Sequence, residues 1–334
     1  MSVANSGGNS LHQSLSTVDG NSAPDILSIE EDHNPLNARY SNFDYFRLFL
    51  SLEVVASHLY AGLQYQGYLW LPIPPVAAFV GLSGFLIPQA LDRSSSTGYF
   101  GKKRALRTLP ALVPLMIAIS IIFGPRDAEG AFMQYITAGY FGEFRGVILP
   151  LWSLIVEDAL YAIAAGLFVY SLHRSILVTA TIIVFLAIAN GYIQDPLAKY
   201  RFLQTSISFF TGNLINMYHA RLRNIHWIWP ALLVVACTFG WFDRLLGQIS
   251  LPLFIGATIV LAMTLPQAKL LFADLSYGIY IWHAPIMIWL LDPLGMTRNA
   301  TWVVVTLLIT LGVALLSYYL VEKPSLRFKD RLRT

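Results

Sequence analysis

The sequence predicts an all-α fold, a polytopic membrane bundle of about ten transmembrane helices with both termini in the cytosol. Composition is the first ground. Of 334 residues, 56% are hydrophobic and 12% charged, and the mean hydropathy is +0.57, far too apolar for a soluble domain of this length. Spacing is the second ground, because apolar runs of roughly 17 to 25 residues, long enough to cross a ~30 Å hydrocarbon core, recur along the chain. The third is charge placement. With the spans below, fifteen Lys and Arg residues fall on the side of the termini and six on the other, with Arg47 inside the first span. That excess marks the cytosolic side, and adding or losing one helix would scramble it.

Residues 1–42, rich in Ser, Asn, Gly and Asp, read as a flexible polar cytosolic tail. They lack the basic start, short apolar run and cleavage site of a signal peptide. The transmembrane region occupies 43–322, with spans at 43–61, 68–91, 105–124, 147–170, 175–193, 200–218, 225–242, 249–265, 276–292 and 300–321. A basic cytosolic tail follows at 323–334. Pro72, Pro74, Pro75, Gly81, Gly84 and Pro88 interrupt the second span, and Pro110 and Pro114 the third. Such breaks are tolerated where neighbours or a cavity satisfy the freed backbone groups, so a cavity is expected beside the second helix. Cys237 is the single cysteine, which leaves no internal disulfide and no cysteine metal cluster. Neither a metal nor a nucleic-acid partner is expected.

The first span, FDYFRLFLSLEVVASHLY from Phe43 to Tyr60, carries Asp44, Arg47, Glu53 and His58. Each ionisable group in hydrocarbon costs roughly 2.5 to 3.5 kcal/mol on insertion scales, so four in one span need a reason. At about 100° per residue, Arg47 and His58 return to within about 20° of one face, ~16 Å apart along the helix. Asp44 lies one turn before Arg47 and can pair with it. Ser51 continues the stripe, and Glu53 falls off it. The helix therefore presents a polar seam, a cation near one end and an imidazole near the other. The bland alternative is a seam that glues helices together, with Arg47 snorkelling to the interface.

Further candidates lie along the chain. Arg104 and Arg107, one helical turn apart in YFGKKRALRTLP, can point at one anionic ligand at the cytosolic mouth of the third helix, since the guanidinium fork suits phosphate. An ordinary cluster of cytosolic positive charge is the competing reading. Glu157, in LPLWSLIVEDALY, is placed ~15 Å into the fourth span. A buried carboxylate must find a partner or take up a proton, and His58, Arg47 and His283 are the candidates. His283, in DLSYGIYIWHAPIM with Tyr277 and Tyr280, also falls near the midplane. Arg104 and Arg107 at the mouth, Ser83 in the inner half, Glu157 and His283 near the middle and His58 toward the outer half mark a path. A ligand with an anionic head and a long thin arm would lie along it.

These segments together resemble the acyltransferase-3 family of polytopic membrane acyltransferases. The resemblance rests on Arg47 and His58 in the first helix, FVGLSGF from Phe79 to Phe85, and Arg104, Arg107 and Pro110. It continues with Trp152, Ser153, Leu154, Val156, Glu157 and Tyr161, then Ser276 through Pro285, then Val321, Glu322 and Pro324. The segments run in family order from about residue 40 to about residue 325. One departs: PPVAAFVG stands where relatives lead into two phenylalanines with a Gly-Val-Asp-like segment.

The resemblance implies an enzyme of the bacterial inner membrane that moves an acyl group, acetyl first among the choices, from cytosolic acyl-CoA to a hydroxyl of an extracytoplasmic or lipid-linked glycan. It implies that Arg104 and Arg107 hold the CoA phosphates, with Arg47, Ser83, Tyr277 and His283 along the donor site. Attack of an alcohol on a thioester needs a base and a stabilised oxyanion. His58 is the expected base, with Glu157 orienting it or acting itself. Transfer is read as direct, with acylation of Ser83 as the other route. A transporter of a glycan or small anion is the rival class, since broken helices and midplane charges also mark substrate pathways. Partners beyond the glycan and membrane lipid are not read, and a homo-oligomer stays open.

Overall fold

The computed structural model describes residues 40–63, 74–195, 198–240, 244–268 and 274–331. The tail before Tyr40 and the expected start of the second span at 68–73 lie outside them. The regular structure among the described residues is all helical, without a strand. In chain order the helices are α1 (Asn42–Gly62), α2 (Pro75–Asp92), α3 (Thr97–Ile122), α4 (Pro125–Ile136), α5 (Trp152–Val169), α6 (Ile176–Tyr192), α7 (Thr205–Leu222), α8 (Ile228–Gly240), α9 (Arg244–Thr264), α10 (Ser276–Leu291), α11 (Ala300–Ser317) and α12 (Lys323–Arg331). A π-helical turn at Lys199–Gln204 leads into α7, and another at Tyr318–Glu322 joins α11 to α12.

A helix lies over each expected apolar segment, and by length and hydropathy four qualify as membrane spans: α2, α3, α5 and the continuous run Ala300–Arg327. The apolar helices Ile176–Tyr192, Ile228–Cys237 and Ser250–Thr264 are shorter. Side-chain distribution identifies the surrounding medium. α6 buries only Thr179 and Asn190, while Leu177 and Phe185 are 78% and 68% exposed. α11 turns Thr306, Thr310, Ala314 and Ser317 inward and Val304, Leu308 and Leu316 outward. A helix that is polar inside and apolar outside is at home in hydrocarbon, not in water.

Three boundaries differ from expectation for local reasons. α3 starts eight residues early because the Ser96 hydroxyl accepts the Tyr99 N–H at 3.1 Å and caps it. Arg104 and Arg107 consequently sit two and three turns inside a helix instead of at its mouth. α4 was not expected at all: Pro125 is its first residue, Asp127 lies in its first turn, and its polar face keeps it below the hydropathy of a span. The basic segment read as a tail is helical from Lys323 to Arg331, and it packs against α3.

α2 and α7 form the closest helix pair. A Cβ at Gly84 would run into the backbone of Phe209, and one at Gly212 would run into the Gly81 carbonyl, so the two helices meet backbone to backbone. This places the other face of α2, with Val76, Phe79, Val80 and Ser83, toward α1 and α5. α1 packs along α10, and both run in the same direction from one end of the bundle, here the near end. Asn42 fastens that end by donating to the carbonyls of Ala262, Leu265 and Pro266.

Candidate active site

A cavity with about 730 Å³ of empty space, its open mouth included, runs between α1, α2, α3, α5 and α10. Arg47, Arg104, Arg107, Thr108, Ser276 and Tyr277 line its near part, Ser83, Glu157 and Tyr161 its waist, and Val54, Phe79, Ser153 and Tyr280 its far part. Of the eight residues singled out in the sequence, six line this one space: Arg47, Ser83, Arg104, Arg107, Glu157 and Tyr277.

The near part is cationic. Arg47 is buried at 9% exposure, one turn after Asp44, whose Oδ1 accepts from its Nη1 at 3.4 Å. Arg104 lies over the Tyr161 and Phe100 rings, 4.9 Å and 5.6 Å from their centroids. Arg107 Nη2 reaches Asp274 Oδ2 at 3.4 Å. Asp274 also caps α10, its Oδ1 accepting from the Ser276 hydroxyl at 2.5 Å and the Ser276 N–H at 3.2 Å. The Tyr277 hydroxyl donates to the Thr108 carbonyl at 2.6 Å, tying α10 to α3. Three guanidinium groups line this part of the cavity, and two carboxylates, Asp44 and Asp274, pair with two of them.

At the waist, Glu157 Oε1 accepts from the hydroxyls of Ser83 and Tyr161. The expectation that Glu157 orients His58 is corrected here: its carboxylate is engaged by α2 and by its own helix, and His58 has another partner. Its depth is corrected as well. α5 begins at Trp152, so Glu157 is five residues, or ~8 Å, along the helix instead of ~15 Å. Asp158 points elsewhere, accepting from the Tyr135 hydroxyl of α4 at 3.4 Å. Burial, with the Asp158 carboxylate beside it, pushes the Tyr135 phenol up to about 12, so this hydroxyl keeps its proton.

The cavity stops at Val54 and Tyr280, and neither His58 nor His283 lines it. Both lie immediately beyond. His58, one turn past Val54, has Nδ1 at 2.8 Å from the Val54 carbonyl and 3.3 Å from His283 Nε2. The two rings are 5.0 Å apart. His283 is 1% exposed, with Nδ1 at 3.1 Å from the Ile279 carbonyl and its ring 6.3 Å from that of Tyr280. The Tyr280 hydroxyl is engaged by the Ser153 hydroxyl at 2.6 Å and donates to the Pro150 carbonyl at 3.0 Å.

Sequence reasoning missed Asp274, and it named Tyr161 and Tyr280 beside the candidates without giving them a role in the site. Tyr161 had a signal, since it stands four residues after Glu157 and so shares its helix face. Arg201, counted among the six charges on the side opposite the termini, is buried against the Trp152 and Tyr140 rings and donates to the Ala138 carbonyl at 2.7 Å. Glu53 is 4% exposed, and neither carboxylate oxygen has a hydrogen-bond partner among the described residues.

Comparison with known proteins adds the identity that the geometry alone does not supply. An acyltransferase-domain family model matches residues 40–321. The chain is 27% identical to nodulation protein 10 of Rhizobium leguminosarum bv. viciae, over 87% of this chain and 95% of that protein. It is 24% identical to the O-acetyl transferase of Shigella phage Sf6, over 84% of this chain and 94% of that protein. No solved structure matches. A family model that spans nearly the whole helical region, with the arginines, the Glu157 waist and the histidine pair all inside it, places this chain in the acyltransferase-3 family of membrane acyltransferases.

Proposed function

We propose that the protein is an O-acyltransferase that takes an acyl group, acetyl first, from cytosolic acyl-CoA and delivers it to a hydroxyl of a glycan or lipid-linked saccharide, with His58 as general base. The reading includes ten membrane crossings, cytosolic termini and a bacterial inner membrane. The observation that carries it is the seam of α1. Arg47 stands in the cationic opening, and His58, eleven residues on, stands just beyond the far limit of the same cavity. That separation is ~16 Å of helix, which suits a donor whose phosphates stay at the arginines while an extended arm carries its thioester toward the imidazole. The name O-acetyl transferase on the phage relative supports the acetyl choice.

In this mechanism the acceptor hydroxyl gives its proton to His58 Nε2 as its oxygen attacks the thioester carbonyl. The C–S bond then breaks, and CoA leaves as the thiol on receiving that proton. General-base help of this kind is worth roughly 10² to 10⁴ in rate. Ser83 stands at the waist, 3.3 Å from the Tyr161 hydroxyl, whose ring carries Arg104. A phosphate held by Arg104 thus lies close to Ser83, and a thioester at the far end of the arm lies beyond it, which favours direct transfer over acylation of Ser83.

The test uses the full chain in lipid discs: acetyl-CoA binding with and without Arg104→Ala and Arg107→Ala, then CoA release on adding candidate glycans. Binding weakened by the arginine changes, with release abolished by His58→Ala, is the expected outcome. Absence of binding to any acyl-CoA, or full release from the His58→Ala protein, would refute the reading.

A further inference from the structure

We infer that His283 is the positioning partner of the base: its bare Nε2 accepts a hydrogen bond from His58 Nδ1–H, aims the His58 ring and stabilises the imidazolium that forms during transfer. The inference rests on His58 being the base. Carbonyl oxygens can only accept, so the two carbonyls at the Nδ1 atoms fix both tautomers. Ile279, at 3.1 Å, requires the proton of His283 on Nδ1, which leaves its Nε2 as a lone pair. Val54, at 2.8 Å, requires the proton of His58 on Nδ1. That N–H is then shared between the Val54 carbonyl and His283 Nε2 at 3.3 Å, and Nε2 of His58 is left as an acceptor with no partner among the described residues. The Tyr280 hydroxyl does not compete for His283 Nε2, since Ser153 and Pro150 engage it.

Each ring therefore presents one nitrogen in a defined role. When His58 Nε2 takes the proton of the acceptor hydroxyl, positive charge spreads over the imidazolium and its Nδ1–H becomes a stronger donor. The lone pair of His283 meets it from a site that is closed to solvent. A carboxylate in the same place would form an ion pair with large desolvation costs. A neutral acceptor orients the base without bringing a second charge into the span.

The shape of a histidine and its lone pair are separable by substitution. His283→Gln keeps an acceptor oxygen near the position of Nε2, whereas His283→Phe keeps a ring and removes the acceptor. Membrane vesicles from cells expressing the full chain, which carry their own acceptor, would be given acetyl-CoA and CoA thiol release followed. His283→Phe is expected to lower kcat about 10- to 100-fold with KM for acetyl-CoA unchanged, and His283→Gln to restore most of it. Thermal stability should rank the other way, with His283→Phe above His283→Gln, because a ring fills the buried site and an amide must be satisfied there. Equal turnover by the two variants, or faster turnover by His283→Phe, would mean that His283 only fills space. In the unmutated protein labelled with 15N-histidine, a nitrogen–nitrogen coupling across the His58–His283 hydrogen bond is expected, and its absence would overturn the proposal even if a variant fails to accumulate. Full turnover by His58→Ala would refute the base assignment instead. Loss of turnover in His58→Ala with normal turnover in His283→Phe would refute this inference alone.

Discussion

Arg107 and Asp274 give the sharpest test of the anion site, because the structure shows the arginine already paired with a protein carboxylate. The pair is 3.4 Å long, with side chains 40% and 26% exposed, so solvent screens it and it is worth about 0.2 to 1 kcal/mol. A phosphate accepting a charge-assisted hydrogen bond from the same guanidinium is worth about 1.5 to 3 kcal/mol. Because the phosphate must displace that pair, replacing Arg107 by Ala should raise the Kd for acetyl-CoA by roughly 2- to 100-fold, the phosphate contact less the pair at 1.4 kcal/mol per decade. Asp274→Asn should act oppositely, tightening binding by roughly 1.4- to 5-fold, since it frees the arginine from its competitor. Asn keeps an Oδ1 acceptor for Ser276, so the cap of α10 survives. The gain from Asp274→Asn should vanish in the Arg107→Ala background, because the two residues act through one contact. Titration calorimetry of acetyl-CoA into lipid discs measures all four proteins. An Arg107→Ala Kd within twofold of the parent, or an Asp274→Asn gain of equal size in both backgrounds, would refute a phosphate role for Arg107.

Substitutions at four further residues have outcomes set by packing and polarity. Gly84→Ala forces a methyl against the Phe209 backbone and should cost about 1 to 3 kcal/mol, seen as a lower Tm. Gly101→Ala, whose Cβ meets open space within α3, should hold Tm or raise it through the roughly 1 kcal/mol helix preference of Ala over Gly. Glu53→Leu removes a buried carboxylate that has no hydrogen-bond partner among the described residues and should stabilise by about 1 to 3 kcal/mol; a fall in Tm would show that the carboxylate is used. Tyr161→Phe deletes a donor to Glu157 but keeps the ring beneath Arg104, so acetyl-CoA Kd should hold. Tyr161→Leu should weaken binding by roughly 2- to 30-fold, the range of a cation–π contact of about 0.5 to 2 kcal/mol.

Period and polarity alone made the seam of α1 legible. Arg47 and His58 share a face because the helix returns after eleven residues; Arg47 lines the cavity and His58 lies just beyond its far limit. A cavity beside the proline- and glycine-rich second span was legible as well, although α2 runs unbroken from Pro75 to Asp92 and its glycines serve the contact with α7. Pairings across the bundle were not. Nothing in the spacing of His58 and His283, 225 residues apart, says that their rings meet, and the sequence suggested Glu157 as the imidazole's partner when Ser83 and Tyr161 hold it. The start of α3 could have been read from Ser96, a strong N-cap residue, but the apolar run begins later and drew the boundary with it. α4 escaped because the search was for hydrocarbon-spanning runs, and a short helix with a wet face does not resemble one.

The backbone contact between α2 and α7 divides the cavity into walls of unequal freedom. Behind Ser83 the chain has no side chain to shorten and no gap to close, because Gly84 already lies against Phe209 and Gly212 against Gly81. That wall is an anvil. On the proposed donor reading, a longer acyl group would gain room from the exchangeable side chains that face the space, Phe79 and Val80 on α2 itself and Val54 and Leu154 opposite. Change in the shape of this space is thereby channelled into a handful of apolar positions, and the glycines behind them are held still by the geometry of two helices that have nothing left to trim.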